Sequence, residues 1–450
     1  MRSKERVVWV RPFMVFFFVA AVLMLTAVEL EAETGEKAPL LTVEESIQIA
    51  LERNFDIQVA REEVQAALHR QKEATTAFLP SLKGEYSYRY LSEVPYAVFD
   101  GRKIDFADQE QYHFTGTIEQ PLFTGFATLS SYQLAKLGLN LAEIQLARAR
   151  LDLILQVREA YFGILSAEKI HEVAEQSVQQ LEAQLKVAQD FYEVGMSPKI
   201  DVLEAEVRLA EAQQQLIRAA NDLRLAKAGF NTILRRPIDQ EVAVTDVLSD
   251  KPYKRPYESC LEISLKKRPE LAEAEKNVAS AEKEITLAKS AYYPYVGLFG
   301  NYNRAGDDPS VNGSEFEDKE NWDVTAVATL TFFEWGKTRY ATNQKRARLR
   351  QAKEILEQMK DAVRLDIKTS YLNLQAAEKN ISVAKKSVES AEENFRISQE
   401  RYREQVATAT EVLDAETRLT QARTNYTNAL VEFNVAQARL IRAMGLEDGA

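Results

Sequence analysis

The stretch DVLEAEVRLAEAQQQLIRAANDLRLAKAGFNTIL, residues 201–234, decides the architecture. Val202, Leu209, Leu216, Leu223 and Phe230 stand seven apart, and each is followed three places later by Ala205, Ala212, Ala219, Ala226 or Ile233. A large/small heptad held over five repeats is an apolar seam of period 3.5, which winds helices into a left-handed supercoil. Alanine at the alternate seam position lets the neighbouring backbone come close. The pattern returns in EVLDAETRLTQARTNYTNALVEFNVAQARLIRAM, residues 411–444. There Val412, Leu419, Tyr426, Phe433 and Leu440 carry the large positions, and Ala415, Ala422, Ala429, Ala436 and Ala443 the small ones. The chain reads as a tandem duplication of long helical hairpins, mainly α with a small β part.

Outward from the seams, both halves run in one order. The first repeat, 33–245, is predicted as helix 43–79, strands 81–92 and 111–122, long helix 126–194 and helix 198–234. The second, 258–450, follows as helix 257–293, strands 295–303 and 321–333, long helix 337–404 and helix 408–444. Pro80 and Pro294 stop the leading helices, because proline cannot continue a helix and pushes its predecessor into extended geometry. The long helices contain no proline, and about 68 residues at 1.5 Å each give roughly 100 Å. The two shorter helices of each half are expected to stack end to end beside the long one. The connector, 246–257, with Pro252 and Pro256, is expected against the middle of this shaft.

The strand reading rests on period-two alternation. Leu82, Gly84, Tyr86, Tyr88 and Tyr90 face one way; Ser81, Lys83, Glu85, Ser87 and Arg89 face the other. Tyr112, Phe114, Gly116 and Ile118 alternate with His113, Thr115, Thr117 and Glu119, and Trp322, Val324, Ala326 and Ala328 with Asp323, Thr325, Val327 and Thr329. The segment at 295–303 is less clean, since Phe299 falls on the polar side. Segments of about ten residues flanked by Tyr and Trp match outer-membrane barrel strands. Tyr86, Tyr88, Tyr90, Tyr112, Phe114 and Trp322 are the expected lipid face and girdle. Loops rich in Asp, Gly and Asn, such as 306–320, belong in water.

Arg2, Lys4, Arg6 and Arg11 precede an apolar run from Phe13 to Val28, the plan of a secretory signal, so residues 1–32 are expected to be removed near Ala27 or Ala32. The run falls short of the ~20 residues a membrane helix needs. Cys260 is the only cysteine, which leaves no disulfide framework and no lipid-acceptor cysteine after the signal; the chain is expected not to be lipidated. The net charge of −11 argues against nucleic acid as a partner. His69, His113 and His171 lack metal-ligand spacing, and no phosphate loop or nucleophile motif is present, so neither an enzyme nor a bound cofactor or metal is expected.

Four strands cannot close a barrel, since the smallest membrane barrels have eight, and an open edge in lipid leaves backbone groups unsatisfied at several kcal/mol each. Identical copies must supply the missing edges; three would give twelve strands. A barrel joined to helices about 100 Å long is a tube, and a tube implies transport.

The sequence resembles the TolC-like outer-membrane efflux proteins over nearly all of its mature length. Gln120-Pro121-Leu122-Phe123 with Thr124-Gly125 resembles the family's strand-to-helix junction, and Phe333-Glu334-Trp335-Gly336-Lys337 its weaker copy. Phe191-Tyr192-Glu193-Val194-Gly195 with Asp201-Val202-Leu203 resembles the first periplasmic tip, and Tyr402 with Glu411-Val412-Leu413-Asp414 the second. Leu234 and Ala443-Met444-Gly445 fit the ends of the return helices. The resemblance implies a homotrimer in the outer membrane of a Gram-negative bacterium, with a twelve-stranded β-barrel in lipid and an α-helical barrel in the periplasm. It also implies a periplasmic adaptor and an inner-membrane pump of RND, ABC or MFS type as partners.

By the same resemblance Glu411 and Asp414 take positions that ring the periplasmic aperture, and Asp201 and Tyr402 take the constricting, hydrogen-bonded positions. Ala407 departs from members with a basic residue there, which speaks against closure by a salt bridge. Gly195, Met196 and Ser197 at one tip and Gln405, Val406 and Ala407 at the other are the expected adaptor contacts. Gly195 takes positive φ readily whereas Gln405 does so at about 1 kcal/mol, so the second turn is expected to differ in shape. The rival reading, a periplasmic coiled-coil scaffold or adaptor without a barrel, has no use for four amphipathic strands.

Overall fold

The computed structural model describes residues 40–448; the expected signal segment lies outside them. Two 67-residue helices dominate, α3 (Ala127–Glu193) and α7 (Lys337–Arg403). Each turns back into a return helix, α4 (Lys199–Leu234) or α8 (Ala409–Ala443), that lies along its lower half. The heptad seams face inward. Val412, Ala415, Leu419, Ala422, Phe433, Ala436 and Leu440 of α8 are all buried. In α4 the alanines Ala205, Ala212 and Ala219 are buried along with Phe230.

The leading helices differ from the sequence reading, which took 43–79 and 257–293 as continuous. The first is broken into α1 (Val43–Arg53) and α2 (Phe55–Thr76), the second into α5 (Tyr257–Lys267) and α6 (Pro269–Lys289) with a 3-10 turn at Ser290–Tyr292. Asn54 and Arg268 sit at the breaks in extended backbone, with ψ of 137° and 120°. Pro269 forces the second break, because proline holds its predecessor out of the α region. Asn54 makes the first by accepting from the Asp56 amide at 2.8 Å, as helix N-caps do. Each break residue also reaches the end of its return helix. Asn54 Nδ2 donates to Ile233 O at 3.3 Å, and Arg268 Nη1 to Ala443 O at 3.1 Å. Carbonyls at helix ends have no intrahelical partner, so these bonds join the short helices end to end.

At mid-shaft β1 (Leu40–Leu41) pairs in parallel with β6 (Ala243–Val244), and the fully buried Tyr161 places its hydroxyl 2.9 Å from Leu41 O and 2.8 Å from Thr245 O. That hydroxyl ties β1 and the region after α4 to the middle of α3.

The upper end carries one antiparallel sheet, in the order β2 (Ser81–Tyr90), β5 (Glu110–Thr124), β7 (Tyr295–Gly306), β8 (Glu320–Thr329). The loop after β2 holds a small hairpin, β3 (Tyr96–Phe99) and β4 (Arg102–Asp105), which the sequence reading missed. Four strand ends also differ, and β7 runs on to Gly306 rather than ending at 303. β2 stops at Tyr90 rather than 92. β5 runs on to Thr124 through a bulge between Pro121 and Phe123, where proline offers no amide. β8 stops at Thr329 rather than 333, because its partner β7 begins only at Tyr295, after Pro294, and residues 330–333 have no strand beside them.

Candidate functional site: the sheet faces and the hairpin tips

Register sorts the sheet's side chains into two faces. Tyr86 opposes Phe114, Tyr88 opposes Tyr112, and Tyr302 opposes Trp322, so these residues share one face. Gly116 opposite Tyr302 joins the two halves of that face. Trp322 is 75 % and Leu82 78 % exposed, and the Tyr88 and Tyr112 rings lie 4.8 Å apart. The other face is a polar network. Lys83 Nζ and Tyr295 OH donate to Glu119 at 3.2 and 3.1 Å, Thr117 donates to Asn301 at 3.1 Å, and Asn301 donates to Asp323 at 3.2 Å. An aromatic face backed by a hydrogen-bonded polar face is the plan of a strand between lipid and water. Phe299 does fall on the polar side, opposite Glu119 and Thr325.

At the other end of the shaft the two hairpin turns have one shape, contrary to the expectation that Gln405 would change it. Gly195 has φ 76° and Gln405 φ 62°. Met196 N donates to Phe191 O at 2.7 Å and Val406 N to Arg401 O at 2.8 Å, the same closing bond in each. Helix-end hydrogen bonding thus holds Gln405 in a left-handed conformation that only glycine takes freely. Met196, Val406 and Gln405 are exposed; Ser197 and Ala407 are half-buried.

Tyr402 is only 4 % exposed, its ring 5.5 Å from that of Phe191. No hydrogen bond joins its hydroxyl to Asp201; the hydroxyl of Ser197 at the first tip is the neighbour that acts on it. Burial, and then the charge of Asp201, push the Tyr402 phenol above its usual range. Burial, and then the charge of Glu204, push the Asp201 carboxyl up.

Glu411 and Asp414 do not stand as bare charges. Glu411 completes a capping box with Thr408 at the start of α8 and lies 3.5 Å from Arg401; Asp414 lies 3.5 Å from Arg208 of α4. Thr410 Oγ1 donates to Glu204 of α4 at 2.8 Å. The contacts Thr410–Glu204 and Asp414–Arg208 tie the two return helices together beside the tips. Farther from the tips α4 and α8 flank a cleft of about 650 Å³.

The sequence profile described as "Outer membrane efflux protein" matches residues 46–234 and 260–446, covering the helices and strands of both repeats. The chain belongs to the outer membrane efflux protein family.

This family comprises channel and transport proteins of the outer membrane. One curated relative is the alkaline protease secretion protein AprF of Pseudomonas aeruginosa, 26 % identical over 318 residues. That alignment covers 69 % of this chain but only 64 % of AprF, slightly less than two thirds of its length. Among solved structures, a CusC structure superposes with a TM-score of 0.79 at 18 % identity, over 90 % of this chain and 92 % of that one. VceC from Vibrio cholerae follows at 0.77 and 18 %, over 90 % and 96 %. These likenesses establish an outer membrane efflux protein fold along nearly the whole chain.

Sequence reasoning singled out Asp201, Tyr402, Glu411 and Asp414, and the structure gathers them where the two hairpins turn. It missed Arg208, Arg401, Glu204 and Thr410, which stand among many similar surface residues. The Thr-x-x-Glu spacing of Thr408 and Glu411, a capping-box signature, is a signal in the sequence that the sequence reading did not use.

Proposed function

We propose that three copies of this chain close their sheets into a twelve-stranded barrel in the outer membrane. Their helices continue the barrel as a tunnel through the periplasm. The observation that carries this reading is the sheet: four strands with one aromatic and one polar face, and with both edges, β2 and β8, unpaired among the described residues. In lipid every unpaired backbone group costs several kcal/mol, so the edges must meet others of their kind. Exposed Ile217 and Leu225 on α4 and Leu365 and Leu372 on α7 supply apolar surface for the same closure along the shaft.

The tube is the exit duct of a tripartite efflux pump or of a type I secretion system. A periplasmic adaptor meets the tips at Gly195, Met196 and Ser197 and at Gln405, Val406 and Ala407. An inner-membrane pump of RND, ABC or MFS type delivers the cargo: a drug, a metal ion, a siderophore or a polypeptide. The name of AprF favours secretion as one such use. Asp201, Tyr402, Glu411 and Asp414 form the periplasmic aperture.

Outer-membrane fractions should contain a heat-modifiable trimer, and the purified protein should conduct ions across planar bilayers. A water-soluble monomer with no affinity for bilayers would overturn the reading.

A further inference from the structure

We infer that the seam between copies has one register: β2 of one copy lies six residues out of level with β8 of the next, placing Arg89 opposite Asp323 and Ser81 opposite Thr331. This inference rests on the trimeric reading above.

Within the protomer, the level of Ser81 runs through Glu119 and Phe299 to Thr325. A neighbouring β2 cannot join at that level, because a sheet closes into a barrel only when its strands tilt and the register staggers. Direction follows from which residues still lack a partner. Beyond Thr329 the chain continues through Leu330–Glu334 without a ladder, and Phe332 is 92 % exposed. Shifting β2 toward this tail pairs it along its length. The opposite shift would set β2 beside the 306–320 loop and leave most of β8 bare.

The offset must be even, since an odd one would turn every side chain to the wrong face. With about 3.3 Å per residue and strands about 4.8 Å apart, twelve strands tilt by roughly 19° for an offset of two, 34° for four, 46° for six and 54° for eight. Membrane strands tilt by about 35–45°, which leaves four and six. Chemistry decides between them.

At four, Arg89 meets Asn321, Tyr90 meets Glu320 and Tyr88 meets Trp322, so a Tyr–Trp pair forms at either offset and the polar face decides. At six, Arg89 meets Asp323 on the polar face, while Tyr90 meets Trp322 and Leu82 meets Leu330 on the apolar face. Among the described residues Asp323 accepts only from the neutral Asn301 and Thr325, and Arg89 is exposed with no ion pair. Opposite charges facing each other across strands stabilise a sheet, and only the six-residue offset pairs Arg89 with Asp323. The six-residue offset also brings Leu330 and Thr331 into the ladder.

Cysteine pairs read the register directly. Cys260 is the only native thiol, so the parent is Cys260→Ser in the full chain. Ser81→Cys combined with Thr331→Cys tests an offset of six, with Thr329→Cys an offset of four, and with Phe333→Cys an offset of eight. Disulfides need Cβ atoms about 3.5–4.5 Å apart, so oxidised outer membranes should give roughly tenfold more SDS-resistant covalent oligomer from the 81/331 pair than from either neighbour. As a second arm, Arg89→Asp and Asp323→Arg should each lower the temperature at which the trimer dissociates in detergent, and the combination should restore it.

Stronger cross-linking through 329 or 333, or intact trimers in which no pair cross-links and the charge exchange fails to rescue, would overturn the register while leaving the trimer standing. A parent protein without any trimer would remove the trimeric reading and the seam with it.

Discussion

Cutting the two polar links between α4 and α8 should open the mouth. Arg208→Ala with Thr410→Val removes the Arg208–Asp414 contact of 3.5 Å and the Thr410–Glu204 bond of 2.8 Å. Both contacts face solvent, so each is worth about 0.2–1 kcal/mol. Taken at ~0.5 kcal/mol each, two links in three copies that release together sum to ~3 kcal/mol, a rise of roughly 140-fold in the open-to-closed ratio. Single-channel recording of the purified trimer in planar bilayers reads this as the fraction of time spent open. An intact variant trimer with unaltered open time and conductance would refute the latch.

A second variant separates latch from charge. Glu411→Gln with Asp414→Asn keeps the capping-box geometry but removes the carboxylates. It should also favour opening, while weakening block by divalent cations. Arg208→Ala leaves Asp414 unmatched and should strengthen that block. If both variants moved block in one direction, Asp414 would not line the mouth.

Gly195→Leu should abolish export in cells without lowering trimer yield, and retained drug export would count against docking at that turn. Gln405→Gly should stabilise the trimer by about 1 kcal/mol per turn, read as a higher thermal midpoint, because φ 62° strains a side-chain-bearing residue; a lowered midpoint would contradict the strain. At the second helix break, burial alone would raise the Glu270 carboxyl, but Arg268, its own backbone amide and Arg442 outweigh burial and hold it below its ordinary value of 4.5. A depressed folded value means that this stabilisation is present above pH 4.5 and is lost as pH falls through the depressed value. Glu270→Gln should therefore cost about 1–3 kcal/mol at neutral pH and nothing at the acid end, and an equal loss at both would be inconsistent with the ion pair. Tyr161→Phe should destabilise mid-shaft by about 1 kcal/mol, seen as faster amide exchange at β1 and β6; unchanged exchange would dismiss the hydroxyl's role.

The large elements were legible because their signals are local. A heptad repeats within one helix, alternation within one strand, and Pro80, Pro294 and the proline-free spans punctuate the chain wherever it goes. These alone determined the tandem repeat, the hairpin plan and the need for borrowed strand edges. The break at Arg268 was legible too, through Pro269, yet was read over because the apolar rhythm continues past it. Other features depended on which surfaces meet in space. Asn54 caps Ile233 O and Arg268 caps Ala443 O only because the short helices stack end to end. Asp414 finds Arg208 across two helices that lie about 200 residues apart in sequence, so its charge is matched rather than bare. Strand β8 ends at Thr329 because its neighbour begins at Tyr295. Periodicity is a property of a chain in one dimension, while pairing of charges, caps and strand ends is decided by distances between remote segments, and only the folded arrangement supplies those.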